Sequence, residues 1–179
     1  MLFAETELSG AYLITSEPMA DNRGSFMRTF CTQEFEANGL HVNYVQHSIS
    51  TSVIEGTIRG MHFQMPPHDE IKVVACRKGT IHDVIIDLRA GSATQGCWRG
   101  FELSAESRRQ LYIPAGFAHG FQTLTCDVEV SYLISKFYTP SAASGVRYND
   151  RAFAIDWPLP VTSISEKDMT WPDYMVEIT

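Results

Sequence analysis

The sequence predicts an all-β fold, a sandwich or jelly roll of two antiparallel sheets with a few short helices. Three observations carry the prediction. From Asn43 onward, short strand-like runs recur at the spacing of all-β domains, roughly at 43–51, 57–64, 71–77, 80–88, 97–103, 109–113, 119–125 and 128–137. Within 80–88, Val84, Ile86 and Leu88 alternate with Asp83, Ile85 and Asp87, the period of a strand and not of a helix. The first 140 residues hold one convincing helix. Many short strands without long helices fit a two-sheet architecture.

In chain order, Gly10 to Ser16 reads as the first strand, and Asp21-Asn22-Arg23-Gly24 as a turn in which Gly24 is free to take positive φ. Ser25 to Phe30 follows as a strand with Phe26, Arg28 and Phe30 on one face. Thr32 is placed to cap a helix that runs through Asn38 and stops at Gly39. The runs 57–64 and 71–77 flank Pro66-Pro67, which cannot continue a ladder. Arg77-Lys78-Gly79-Thr80 reads as a tight hairpin turn, and Ala90-Gly91-Ser92 and Ser104-Ala105-Glu106 as two more. After Pro140 the chain turns irregular, and Ile164 to Asp168 opens a short C-terminal helix. No internal repeat, low-complexity tract or linker divides the chain. Its 179 residues fit one domain, 1–179, or a domain that dimerises.

The bulk composition narrows the function class. Apolar residues make up 44% and charged residues 20%, ordinary values for a soluble protein. A formal net charge of −7 argues against nucleic-acid binding, which needs a basic face. A local basic pocket inside an acidic protein remains compatible with an anionic small ligand. No apolar run approaches membrane-spanning length. The chain begins Met-Leu-Phe-Ala-Glu, without a basic region before a long apolar run, which argues against a secretory leader. Cys31, Cys76, Cys97 and Cys126 lack CxxC spacing, so buried, reduced thiols in the cytoplasm are expected.

The chemistry gathers between Thr57 and Lys72. Arg59, His62 and Lys72 bring a cation, a titratable imidazole and an amine onto adjacent predicted strands, a suitable site for an anionic substrate that loses a proton. Strict alternation would put Arg59 and His62 on opposite faces, because they are three apart. A bulge at Gly60 would bring them together. A second cluster, Ile113-Pro-Ala-Gly-Phe-Ala-His119, delivers His119 through the Pro114–Gly116 turn to the start of a strand. Its Pro-x-Gly-x-x-His pattern resembles the second motif of the cupin superfamily, whose first motif supplies His-x-His and a glutamate to a metal. Here His62-Phe63-Gln64 stands instead, one imidazole short, so no metal is expected. Tyr132 shares a strand face with Val128, Val130 and Ile134, and alone would read as a core tyrosine. Asp168 alone would read as an exposed helix carboxylate.

Taken together, these segments resemble the dTDP-4-dehydrorhamnose 3,5-epimerase family of the cupin superfamily. The matching pieces are Asp21-Asn-Arg-Gly-Ser-Phe26, Ile58-Arg-Gly-Met-His-Phe-Gln64, Lys72, His82 to Arg89, Leu111 to Phe121, Tyr132, Phe137-Tyr-Thr-Pro140, Ile155-Asp-Trp-Pro158 and Ser165-Glu-Lys-Asp168, in order along the chain. The resemblance implies a cupin-type jelly roll, a homodimer whose partners exchange N-terminal strands, and catalysis without metal or other cofactor. It implies that His62 removes the proton beside a C4 ketone, that Asp168 orients His62, and that Tyr132 returns a proton to the opposite face. It further implies that Lys72, held by Asp83, steadies the enolate oxygen. Arg23, Phe26, Arg59, His119 and Lys167 would contact a nucleoside-diphosphate 4-keto sugar.

Three positions depart from the family pattern. Arg28 stands where glutamate is usual, Ser48 of Gln46-His47-Ser48 where asparagine is usual, and Ala143 near another glutamate position. These belong mainly to nucleotide recognition in the family, which leaves dTDP, GDP and CDP open and gives Arg28, Gln46 and Ser48 a place in substrate binding. Two further classes stand beside the epimerase. A metal-dependent cupin oxygenase or isomerase would hold stoichiometric metal and lose activity to a chelator. A silent sugar-nucleotide binding module would bind without exchanging substrate hydrogen.

Overall fold

A computed structural model describes residues 1–175, so the last four residues of the expected 1–179 domain lie outside it. The chain forms β1 (Leu2–Glu5), β2 (Tyr12–Thr15), β3 (Pro18–Asp21), β4 (Gly24–Met27), α1 (Thr32–Ala37), β5 (Gln46–Ser52), β6 (Ile58–Gln64) and β7 (Lys72–Lys78). It continues with β8 (Thr80–Asp87), β9 (Trp98–Ser104), β10 (Arg109–Ile113), β11 (Phe117–Thr123), β12 (Val128–Ile134), β13 (Ala143–Gly145) and α2 (Glu166–Met169). One sheet runs β1-β2-β10-β7-β12-β5, the other β13-β6-β11-β8-β9, and β3-β4 stands apart as a hairpin. All strand pairs are antiparallel. This is the predicted all-β jelly roll.

The core lies between the two sheets. Val74, Leu111 and Val130 from one meet Ile81, Ile85 and Phe121 from the other. Strand β8 is buried on both faces because the segment after β13 covers its outer side. Val84 and Ile86 pack there against Val146 and Phe153. Helix α1 closes the outer face of the six-stranded sheet by seating Phe35 against Ile14, Val73 and Tyr112. Burial of such a side chain stabilises by about 1.5–3 kcal/mol.

Several local expectations change. Thr32 is the first helical residue, and Cys31 takes the N-cap position without a side-chain cap. Strand β4 ends at Met27, short of Phe30, because the chain turns there into α1 and Phe30 packs edge-on to Phe35, centroids 4.8 Å apart. Strands β1, β3 and β13, of three or four residues each, were not expected. Of the three expected hairpin turns, Ala90-Gly91-Ser92 alone joins paired strands, in the β8–β9 connection. Arg77–Thr80 and Ser104–Glu106 instead pass the chain from one sheet to the other, since β7 and β8, like β9 and β10, lie in different sheets. Gly79 makes the first corner at φ +75°, where a Cβ would stand 2.5 Å from Thr125 Oγ1. The β8–β9 connection is pinned by buried Asp87, which accepts from Arg89, Ser92 and Thr94. Burial alone would raise that carboxyl, but these donors hold it down at about 2.

The thiols are also less uniformly buried than expected. Cys76 is buried, Cys31 half-buried, and Cys97 and Cys126 exposed, because the latter two fall in connections between strands. All four are free. Burial pushes the Cys76 thiol up to about 11. Among the described residues no helix is long and apolar enough to cross a membrane.

Candidate active site

The site begins with the bulge. Across the β6–β11 pair, His119 sits opposite His62 and Phe121 opposite Arg59, so two residues of β6 face the single Gly120. Gly60 takes φ +126°, and a Cβ there would lie 2.4 Å from Gly120 Cα. The bulge turns Arg59 and His62 to the same side, and both line one cavity of roughly 660 Å³ between the sheets. The Arg59 guanidinium is steadied by Ser52 Oγ at 3.0 Å and the Thr51 carbonyl at 2.8 Å.

The C-terminal segment delivers the carboxylate. Ser163 bridges to Thr57, and Ser165 caps α2 by accepting from the Asp168 N–H at 3.1 Å. Asp168, only 4% exposed, meets His62 Nε2 with Oδ1 at 2.6 Å, and the Gly60 N–H donates to its Oδ2 at 3.3 Å. Burial alone would raise the carboxyl. The hydrogen bond and charge of His62 and the Gly60 N–H outweigh it, leaving the pKa below the ordinary value. Lys167, also lining the cavity, lies over the Trp171 ring at 5.2 Å.

The opposite wall comes from the six-stranded sheet. Tyr132 projects from β12 on the inner face with Val128 and Val130, and its hydroxyl shares a 3.2 Å hydrogen bond with Ser50 of β5. Burial raises the phenol well above its usual value. Ser48 and Lys72 line the same cavity. Strands β6 and β7 are thus not neighbours in one sheet: His62 and Lys72 face each other from two sheets, because Pro66-Pro67 interrupts the ladder between them.

Asp83 does not hold Lys72. It is fully buried and accepts from His119 Nε2 at 2.8 Å, because β8 and β11 are direct neighbours. The Lys72 ammonium pairs instead with Glu70 Oε1 at 2.9 Å and lies 3.5 Å from the His62 carbonyl. His119 presents its ring edge-on to Tyr132, centroids 6.1 Å apart. Gln64, the third nitrogen or oxygen of a metal reading, has its amide taken up by the carbonyls of His68 and Phe137 and the Thr139 N–H.

Four expected substrate contacts are not brought to this cavity within one chain. Arg23 and Phe26 sit on the β3–β4 hairpin, where Arg23 pairs with Asp21 at 2.6 Å and Phe26 is 68% exposed. Arg28 pairs with Glu34 at 2.8 Å beside α1. Gln46 accepts from the Tyr138 N–H at 3.1 Å. In the other direction, Ser50, Glu70, Phe121 and Ile134 belong to the site or its frame and were missed. Alternation along β5 held the signal for Ser50, which shares a face with Ser48 and Ser52.

A family model for dTDP-4-dehydrorhamnose 3,5-epimerase matches residues 5–175. The chain belongs to the dTDP-4-dehydrorhamnose 3,5-epimerase family. Within this family of isomerases, the epimerase of that name from Methanothermobacter thermautotrophicus is 44% identical over 172 residues, covering 94% of this chain and 92% of its own. A dTDP-4-dehydrorhamnose 3-epimerase from Streptomyces niveus is 39% identical over 162 residues, covering 90% and 78%. The crystal structure of a dTDP-4-dehydrorhamnose 3,5-epimerase from Bacillus anthracis, with TDP and PPi bound, superposes with a TM-score of 0.94 at 39% identity, covering 97% of this chain and 99% of that one.

Proposed function

We propose that this protein inverts C3, C5 or both of a nucleoside-diphosphate-linked 4-keto-6-deoxy sugar. The C4 ketone acidifies the neighbouring C–H bonds. His62 takes one proton, and the C–H electron pair becomes the enolate. Tyr132 then gives its O–H proton to the opposite face of that carbon. His62 later returns its proton to solvent, and solvent reprotonates the phenol, so the cycle closes without an electron donor or acceptor. Asp168 fixes the imidazole and compensates its charge. The Lys72 ammonium stabilises the enolate oxygen, a contribution of a few kcal/mol in a dry site. Each proton transfer contributes roughly 10²–10⁴-fold.

One observation carries this: an Asp-paired imidazole and a protonated phenol stand on opposing sheets that wall a single cavity. Arg59 and Lys167 supply positive groups for a diphosphate, and His119, which lines the same cavity, lies within reach of the sugar beside Tyr132. The nucleoside is assigned as thymidine, supported by TDP in the Bacillus anthracis relative. Arg28 pairs with Glu34 beside α1 and does not line the cavity of its own chain.

A homodimer belongs to the same proposal. Met19 and Phe26, 69% and 68% exposed on a projecting hairpin, are suited to cover a second copy and carry Arg23 toward its cavity. Light scattering should give twice the chain mass, and a monomer would exclude the arrangement. Exposed free thiols at Cys97 and Cys126 suit a reducing cytoplasm.

The chemical test is deuterium entry from D₂O into C3 or C5 across dTDP-, GDP- and CDP-linked 4-keto sugars. Exchange should be fastest with the dTDP sugar and fall at least 100-fold in His62→Ala. Undiminished exchange in that variant would remove His62 as the base.

A further inference from the structure

The Tyr132 hydroxyl has one hydrogen-bond partner among the described residues, the Ser50 hydroxyl at 3.2 Å, and Ser50 has no other side-chain partner there. Ser50 lines the cavity beside Tyr132. Its neighbour on the same strand face, Ser52, is occupied by Arg59, so β5 presents two hydroxyls in two different jobs.

We infer that Ser50 is a positioning residue for the acid half of the reaction: it donates to the Tyr132 oxygen, which leaves the phenolic proton free to point at the substrate and stabilises the phenolate once that proton has gone. This rests on the epimerase proposal above and extends it. A phenol has a single proton to give, and a serine that accepted it would turn it away from the enolate. A serine that donates does the reverse. When the Tyr132 O–H bond breaks and the new C–H bond forms on the enolate carbon, the O–H electron pair remains on the phenolate. In a buried site a new anion without a donor is costly, and Ser50 is the hydroxyl within reach. Burial raises the Tyr132 pKa while the Ser50 hydrogen bond acts in the opposite direction, as a donor to the phenolate should.

The consequence separates the two halves of catalysis. His62 can remove a proton and return a deuteron to the same face without Tyr132, whereas inversion needs the phenol. Ser50→Ala should therefore keep most deuterium entry while net inversion falls about tenfold or more, so the ratio of exchange to inversion rises. Ser50→Thr, which restores a hydroxyl, should bring the ratio back toward the wild-type value. If the alanine variant does not fold, as judged by its thermal melt, Ser50→Cys keeps the shape with a weak donor and should raise the ratio in the same way. A ratio unchanged in Ser50→Ala or Ser50→Cys would overturn the role, because a merely structural loss lowers both processes together. Absence of exchange in the wild-type protein would instead defeat the epimerase proposal itself.

Discussion

In the proposed reaction, His62 relies on one buried carboxylate. Its side chain is 46% exposed toward the cavity, while Asp168 behind it is almost wholly covered. The imidazole can therefore meet a substrate while its Nε2 stays fixed at 2.6 Å from Asp168 Oδ1. Because the Asp168 pKa is lowered on folding, its carboxylate contributes stability above the unfolded value near 3.9. That contribution is lost as pH falls through the lower folded value. Asp168→Asn should thus lower kcat by about 10²-fold and flatten the acid limb of melting temperature against pH below about 4. A kcat within threefold of wild type would show that Asp168 does not serve the base. His62 and Lys72 stood out in the sequence by their own chemistry, whereas Tyr132 and Asp168 were reached only through the family resemblance; all four line one cavity. The partner of Asp83 was not legible, since alternation turns Asp83 inward without saying which donor the neighbouring strand will bring.

At the level of elements, the bulge in β6 does the work that a regular strand cannot. Gly60 and Gly120 cross so closely that neither has room for a side chain: a Cβ at Gly120 would stand 2.6 Å from Met61 Sδ. The spacing of Arg59 and His62 announced this bulge, because two groups needed on one wall were three residues apart. The sheet-to-sheet corners were not announced. A Gly-containing turn between two strand-like runs looks the same in sequence whether the strands pair or part, and only long-range pairing decides. Helix α2 is likewise too short to be held by its own turns, and the Trp171 ring helps to anchor its end, lying where a Cβ on Gly145 of β13 would be only 2.4 Å away. Trp171 and Gly145 gave no such hint beforehand.

Across the whole molecule, the two sheets divide the labour. The five-stranded sheet brings Arg59, His62 and His119, the six-stranded sheet brings Ser48, Ser50, Lys72 and Tyr132, and the C-terminal segment closes the site with Asp168 and Lys167. The jelly roll was readable from strand spacing, and its family from the ordered motifs. The expected place of Arg23 and Phe26 at the site is not met within one chain, because they lie on the separate β3–β4 hairpin and do not line the cavity. Opposed walls are what inversion demands and simple binding does not. The most direct measurement of that opposition is the reaction of Tyr132→Phe in D₂O, followed by proton NMR. Deuterium should still enter the carbon beside the ketone, through His62, while inversion falls at least 100-fold. Inversion persisting near the wild-type rate would contradict the two-walled mechanism.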